Sequence, residues 1–207
     1  MFKFKFFLDF DKEEKWLEDM ARNGYHLNKA SFGYHFLEGE PEETTIKIDY
    51  RRFKYKEDFL DYCSLFEDSG WKHISGTKNS GIQYFKKDTN TEEDDIFSDY
   101  HSKAARYKRY SSMSFQLAIS YLPLLVVFYL TDIIDFNAFV NPKELYYTPG
   151  LWDKTGTSFW FSFLFETPFA LMRGFAWSFI PLTMLLYLFF SIKSNRLYVQ
   201  KSDKEFS

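Results

Sequence analysis

Cysteine is the scarcest reactive residue: Cys63 stands alone among 207 residues, which excludes an internal disulfide and any multi-thiolate metal site. Nothing in the chain therefore asks for an oxidising compartment. Histidine is nearly as scarce, and no two of His26, His35, His73 and His101 stand at the i, i+4 spacing of a helical metal site. Phosphate-cradling glycine loops, nucleophile elbows and kinase-type residue sets are also missing. No catalytic, cofactor-binding or metal-binding residue is assigned, and the chain is read as non-enzymatic. Charge is absent over two long stretches, Met113–Thr131 and Gly174–Ile192, each nineteen residues without Asp, Glu, Lys, Arg or His. Such runs meet the length that a bilayer core of about 30 Å requires of a helix.

The remaining charge is unevenly divided. Up to Asp95 there are 15 Lys and Arg against 21 Asp and Glu; from Ile96 onward, 11 against 8. An acidic first half offers phosphate backbones nothing to neutralise, so direct nucleic-acid binding is not expected. Phenylalanine is abundant, 26 in all, which suits sheet packing and bilayer interfaces alike. Lys3 and Lys5 beside Phe2, Phe4, Phe6 and Phe7 do not make a cleaved signal, because Asp9 and Asp11 interrupt the run.

Residues 1–87 read as a cytosolic α+β domain. Phe2, Phe4 and Phe6 alternate with Lys3 and Lys5, the period of a half-buried strand over residues 2–8. Asp11 and Glu14 suggest a capping box, followed by a helix with Trp16, Leu17, Met20 and Ala21 on its inner stripe and Gly24 at its end. The helix-Gly-strand pattern at Asn23-Gly24-Tyr25 returns at Ser69-Gly70-Trp71, implying an internal duplication in which His26 and His73 match. Between the units, residues 25–36 and 44–52 read as strands joined across Glu38-Gly39-Glu40-Pro41, with a bulge at Gly33. Phe59, Tyr62, Cys63 and Phe66 line a second helix, and a hairpin closes the domain. The order suggests a ferredoxin-like antiparallel sandwich followed by a two-helix transmembrane hairpin.

Several of these motifs together carry a resemblance. Phe6-Phe7-Leu8-Asp9-Phe10-Asp11-Lys12-Glu13-Glu14-Lys15-Trp16-Leu17, Gly24-Tyr25, Ile48-Asp49-Tyr50-Arg51 and Asp68-Ser69-Gly70-Trp71 look like DUF2812, a bacterial family of domains of unknown function. The resemblance covers roughly the first 87 residues. It implies a C-terminal membrane hairpin as a frequent companion and frequent encoding beside a PadR-type transcriptional regulator. It brings no catalytic residues.

Beyond the domain, residues 88–95 read as an acidic, solvated linker. Residues 96–112 place Ile96, Phe97, Tyr100, Ala104, Tyr107 and Ser111 at helical spacing. Two readings stand for them: a basic amphipathic helix on an anionic leaflet, or a plain lead-in to a span. Lys103, Arg106, Lys108 and Arg109, with Lys193 and Arg196 in the tail at 193–207, are the expected membrane-surface contacts. The spans are 113–134 and 173–192, with a loop at 135–157 and an interfacial or re-entrant helix at 158–172 bent near Thr167-Pro168; a single long second helix is the alternative. The loop holds only Lys143 and Lys154, so the positive-inside rule puts both termini in the cytosol. Asp132, Glu166 and Arg173 form an expected outer-face polar cluster, with Asp132 and Arg173 as a candidate pair or as two independent end charges. The expected partners are membrane lipid and an unidentified protein or second copy. Function is expected to be that of a membrane-anchored interaction or regulatory module; an accessory subunit acting through the outer polar residues is the alternative.

Overall fold

The computed structural model describes residues 1–88, 95–131 and 135–203. Most of the expected acidic linker, together with Asp132 and Lys204, lies outside the described residues. The chain divides into two compact units: Met1–Met113 with Phe190–Ser207, and Ser114–Phe189.

The first unit holds β1 (Phe2–Lys3), α1 (Phe10–Arg22), β2 (Tyr25–Ala30), β3 (Tyr34–Glu38), β4 (Ile46–Tyr50), α2 (Lys56–Asp68), β5 (Trp71–Ser75) and β6 (Ile82–Lys87). Where one ferredoxin-like sheet with an extra strand is expected, these strands form two three-stranded antiparallel sheets, ordered β1-β3-β2 and β4-β6-β5. Each sheet is one strand-helix-strand-strand unit with its third strand in the middle. The duplication read in the sequence thus has a structural counterpart. Both helices have 13 residues, and each is followed by a glycine in the left-handed region, Gly24 at φ 80° and Gly70 at φ 82°. Each second strand also shifts register near its middle, between Leu27 and Lys29 and between His73 and Ser75.

The register corrects the histidine match. Counted from the glycines, His73 corresponds to Leu27 and not to His26, which places the two histidines on opposite faces of their strands. Gly33 lies in the β2–β3 turn and not in a bulge, and the ring of Phe2 comes within 2.5 Å of where its Cβ would be, which leaves no space for a side chain. Residues 38–41 do not turn a hairpin; they carry the chain across to β4, whose partner is β6.

The first strand is also shorter than its alternation suggests. Only Phe2 and Lys3 pair with β3, and Phe2, Phe4 and Phe6 are exposed, whereas Leu8 and Phe10 turn into the core. The main core gathers Phe10, Leu17, Met20, Leu27, Phe36, Ile48 and Tyr84 from α1 and both sheets. A satellite core under α2 packs Tyr62, Trp71 and Phe85, with Phe59, Cys63 and Phe66 at its margin. The two sheets meet where Ser75 Oγ accepts from the Ala30 N–H at 2.9 Å.

Two more helices lead away from the strands. α3 (Tyr100–Ser120) gives way at Tyr121 to α4 (Leu122–Leu130), with Pro123 in the first turn of the second helix. A short α5 (Asn137–Val140) and single turns at Pro142–Leu145 and Leu151–Asp153 follow. α6 (Gly156–Ser202) then runs 47 residues without interruption through Pro168 and Pro181. The separate helix at 158–172 is therefore replaced by the long second helix. Thr167 Oγ1 bonds the Phe163 carbonyl at 2.7 Å and Ser178 Oγ the Gly174 carbonyl at 2.7 Å, back-bonds to the preceding turn of the helix. Two helical stretches, Tyr100–Leu130 and Gly156–Ser202, are long and apolar enough to cross a membrane.

Candidate functional site

The first helix buries two consecutive carboxylates. Glu13 and Glu14 are only 2% and 4% exposed, because they share the stripe of Phe10 and Leu17 at three- and four-residue spacing. The cap role expected of Asp11 belongs instead to Asp9, whose side chain accepts from the Asp11 N–H at 3.1 Å. Glu14 is then free to turn inward.

Glu14 and Glu18, one turn apart on α1, accept the N–H groups of Ile48 and Ile46 at 2.9 and 3.0 Å. These amides lie on the open edge of β4, the side away from β6. The carbonyls of the same edge are taken by α3: Arg106 donates to the Ile48 carbonyl at 2.5 Å and Arg109 to the Tyr50 carbonyl at 2.5 Å. The four-residue step from Glu14 to Glu18, about 6 Å along the helix, nearly matches a two-residue step of about 6.6 Å along the strand. The edge is thereby sealed by side chains, which protects it from pairing with another strand.

Arg106 is the centre of this arrangement. Its side chain is fully buried and forms ion pairs with Glu14 and Asp11. Burial alone would weaken its hold on the proton, but the charge of Glu14, reinforced by Tyr107 and Asp11, keeps its pKa above the usual arginine value. Next to it, Tyr107 donates to Asp9 at 2.8 Å. Lys201, near the end of α6, reaches the same two acids, lying 3.2 Å from Asp9 and paired with Asp11. Burial pushes the Asp11 carboxyl up, yet the Lys201 hydrogen bond and the charges of Arg106, Lys201 and Lys103 together hold it below the usual aspartate value. Arg109 pairs with Asp49, which also accepts from Tyr62 at 2.8 Å.

Glu13 lies on the other side of the same helix turn. One of its oxygens accepts from both Tyr34 of β3 and Tyr84 of β6, each at 2.7 Å, so a single carboxylate ties the two sheets together. Burial pushes its pKa up to about 7, more than the two tyrosine bonds pull it down, and the neighbouring Glu14 adds to the rise.

The helices meet through small residues. Ala104 and Ser111 of α3 and Ser191 and Ser194 of α6 are buried, and Ser111 donates to the Ser191 carbonyl at 2.9 Å. Lys108 donates to Asn195 at 3.2 Å.

The expected membrane-surface cations thus divide. Arg106 is corrected outright: it lies in the core, because Glu14, Asp11 and the Ile48 carbonyl supply the counter-charge and acceptors that lipid would have supplied. Arg109 is turned toward Asp49 and Tyr50, and Lys103 pairs with Asp95 at 2.7 Å. Lys108, Lys193 and Arg196 remain exposed. The helical reading of Ala104, Tyr107 and Ser111 fits their burial, but protein covers them. Spacing on α1 could have revealed Glu13 and Glu14, whereas nothing local marks Arg106.

In the second unit Arg173 pairs with Glu166 and donates from Nε to the Leu145 carbonyl at 2.9 Å. Glu166 also accepts from the Tyr147 N–H at 3.2 Å and from Thr148 Oγ1 at 3.0 Å. Two members of the expected outer cluster are therefore brought together, and they fasten the segment 145–148 to α6.

Elsewhere His26 bonds the Glu40 carbonyl at 2.8 Å and His73 bonds Gln83 at 3.1 Å. Both border a cleft of about 280 Å³ with Lys72 and Lys86 at the junction of β2 and β5. Among the described residues no group of three or more His, Cys, Asp or Glu could hold a metal ion.

These features define a class: an α+β unit fastened by buried ion pairs to the flanks of two long apolar helices. The family model described as "Protein of unknown function (DUF2812)" matches residues 9–119, more than half of the chain. The chain belongs to the DUF2812 family. The match extends past residue 87 to take in Arg106, Tyr107 and Arg109 of α3 as well as the acids of α1 that they meet. No curated protein matches the chain, and no solved structure does.

Proposed function

We propose that the protein is a membrane-anchored, non-enzymatic interaction or sensory module whose α+β domain is cytosolic and whose helix pair reports to that domain. One observation carries the reading: the β4 edge is closed by Arg106 and Arg109 of α3, while Lys201 of α6 pairs with Asp11, one of the two acids that hold Arg106. Any displacement of α3 against α6 at this level would act on the edge and on the buried carboxylates together. The long exposed apolar faces of α6, with Phe161, Leu171, Met172, Phe175 and Leu185 all more than 60% exposed, support a lipid environment for the other part of that helix. The loop between the apolar stretches then lies outside the cell and both ends of the chain inside.

The domain's partner in this reading is a protein, with the PadR-type regulator implied by family resemblance as one candidate. The cleft beside Lys72 and Lys86 is where a small anionic ligand would reach both sheets. Copurification of the tagged full-length protein in mild detergent tests the reading. A stoichiometric protein partner is expected, and its repeated absence overturns the interaction role. The alternative of an accessory subunit acting through Glu166 and Arg173 gains no support from their geometry, because both are engaged in holding their own loop.

A further inference from the structure

We propose that Phe4, Phe6 and Phe32 form a lipid-contact tip by which the α+β domain rests in the interfacial layer of the bilayer. The proposal rests on the membrane reading above and adds the face that the domain turns to the lipid. These three large apolar side chains are 65%, 61% and 86% exposed. Exposed apolar surface grouped in this way calls for a partner.

The tip is built, not frayed. Gly33 in the β2–β3 turn lets the Phe2 ring pack closely beneath it, Phe2 lies against His35 at 4.9 Å, and Phe4 contacts Phe32 at 5.5 Å. Phe6 contacts Phe190 at 5.5 Å, and Phe190 belongs to the uncharged run 174–192. Phe6 therefore carries apolar surface from the end of that run onto the domain. This continuity favours lipid over a second protein as the occupant.

The charge pattern agrees. Lys3 and Lys5 alternate with the phenylalanines, and no acid precedes Asp9. The Lys5 ammonium stands over the rings of Phe7 and Trp16 at 4.7 and 4.8 Å. The rings of Phe4, Phe6 and Phe32 suit the headgroup layer, where aromatic side chains lie at the interface, while Lys3 and Lys5 turn back onto Met20 and Trp16. Lys193 and Arg196, exposed on α6 just after Phe190, add charge of the same sign.

Nitroxide labels on full-length protein in nanodiscs of phosphatidylcholine and phosphatidylglycerol test this. In a Cys63→Ser background, single changes Phe4→Cys and Phe32→Cys place labels on the tip, Leu185→Cys places one in the apolar run, and Leu60→Cys places one on α2. The readout is collision with oxygen, which enters lipid, against a water-soluble nickel chelate. Oxygen should exceed nickel at positions 4, 32 and 185, with the reverse at 60. Water-like values at 4 and 32 with a lipid-like value at 185 overturn the tip and leave the membrane reading standing. A water-like value at 185 overturns both. Shielding of 4 and 32 from both probes, with spin–spin broadening between molecules, assigns the tip to a second copy and also overturns the proposal. Retained thermal unfolding transitions in every labelled variant exclude misfolding as the source of a water-like signal.

Discussion

Arg106 and Glu14 are separated by 92 residues and joined in the core by a charge-assisted hydrogen bond, with side-chain exposures of 0% and 6%. A helix leading toward an apolar run thus depends on a carboxylate in the first helix of the domain. The pair also has a shared acceptor environment: Glu14 takes the Ile48 N–H and Arg106 gives to the Ile48 carbonyl, so both charges are fixed by one residue of β4.

Removing one member of such a pair should be severe. Arg106→Met leaves Glu14 buried without its cation, and the expected loss is about 3–5 kcal/mol of stability. Replacing both, as Arg106→Met with Glu14→Leu, should recover a large part of that loss, since no buried charge is then stranded; the Ile48 N–H and carbonyl would still lack partners. Denaturant unfolding in detergent measures both. Equal stability of the single and double variants would refute the pairing as the source of the cost.

Glu13 gives the domain a pH dependence of determined sign. Its folded pKa is about 7 against an ordinary 4.5, so the folded state holds a proton that the unfolded state has released. The stabilisation is fully present below about 4.5 and is lost as pH rises through about 7; the difference corresponds to about 3 kcal/mol. Asp11 acts in the opposite sense, because its lowered pKa contributes stability above its ordinary 3.8 that disappears as pH falls. Glu13→Gln keeps an acceptor for Tyr34 and Tyr84 and should flatten the decline between pH 4.5 and 7. Unfolding curves across that range check this, and an unchanged slope would remove Glu13 as its cause.

What was legible in the chain follows from how far each signal reaches. The apolar runs, the α2 face through Phe59, Tyr62 and Phe66, and the helix-ending glycines rest on neighbours a few residues apart, and periodicity displays them. Pairing of β4 with β6 joins strands separated by α2 and β5, and no local pattern records it. The buried charges were hidden for another reason. Acids at a helix start are ordinarily solvated and favoured by the helix dipole, so Glu13 and Glu14 read as surface groups. Only the presence of Arg106, Tyr34 and Tyr84 at distant positions makes their burial tolerable. Phe2, Phe4 and Phe6 misled in the converse way: period-2 alternation marks two faces, but it does not say which one meets the core.

The α3–α6 contact should be sensitive to side-chain size. Ser111→Ala loses only the hydroxyl bond to Ser191, a cost of about 0.5–1.5 kcal/mol. Ser111→Leu must push apart helices that meet through buried small residues, with overpacking expected to cost about 1–3 kcal/mol and to disturb the reach of Lys201 to Asp9 and Asp11. Cysteine crosslinking between positions 108 and 195, where Lys108 bonds Asn195, reports on the spacing. Efficient crosslinking in the alanine variant and loss of it in the leucine variant are the expected results.

Variants of Glu166 and Arg173 can separate a loop-fastening role from one that needs the carboxylate charge. If their role is to hold the segment 145–148 on α6, Arg173→Met removes the bonds to the Leu145 carbonyl and to Glu166, and the loop should open. Glu166→Gln retains one oxygen to accept from the Tyr147 N–H and from Arg173, its NH2 can donate to the Thr148 hydroxyl in place of the second oxygen, and the main loss is the ionic contribution, about 0–1 kcal/mol for a pair near the surface. Trypsin cleavage after Lys143 and Lys154 in intact proteoliposomes should therefore accelerate strongly in the arginine variant and little in the glutamine variant. An equally strong effect from Glu166→Gln would mean that the carboxylate charge itself matters, which a loop fastener does not require.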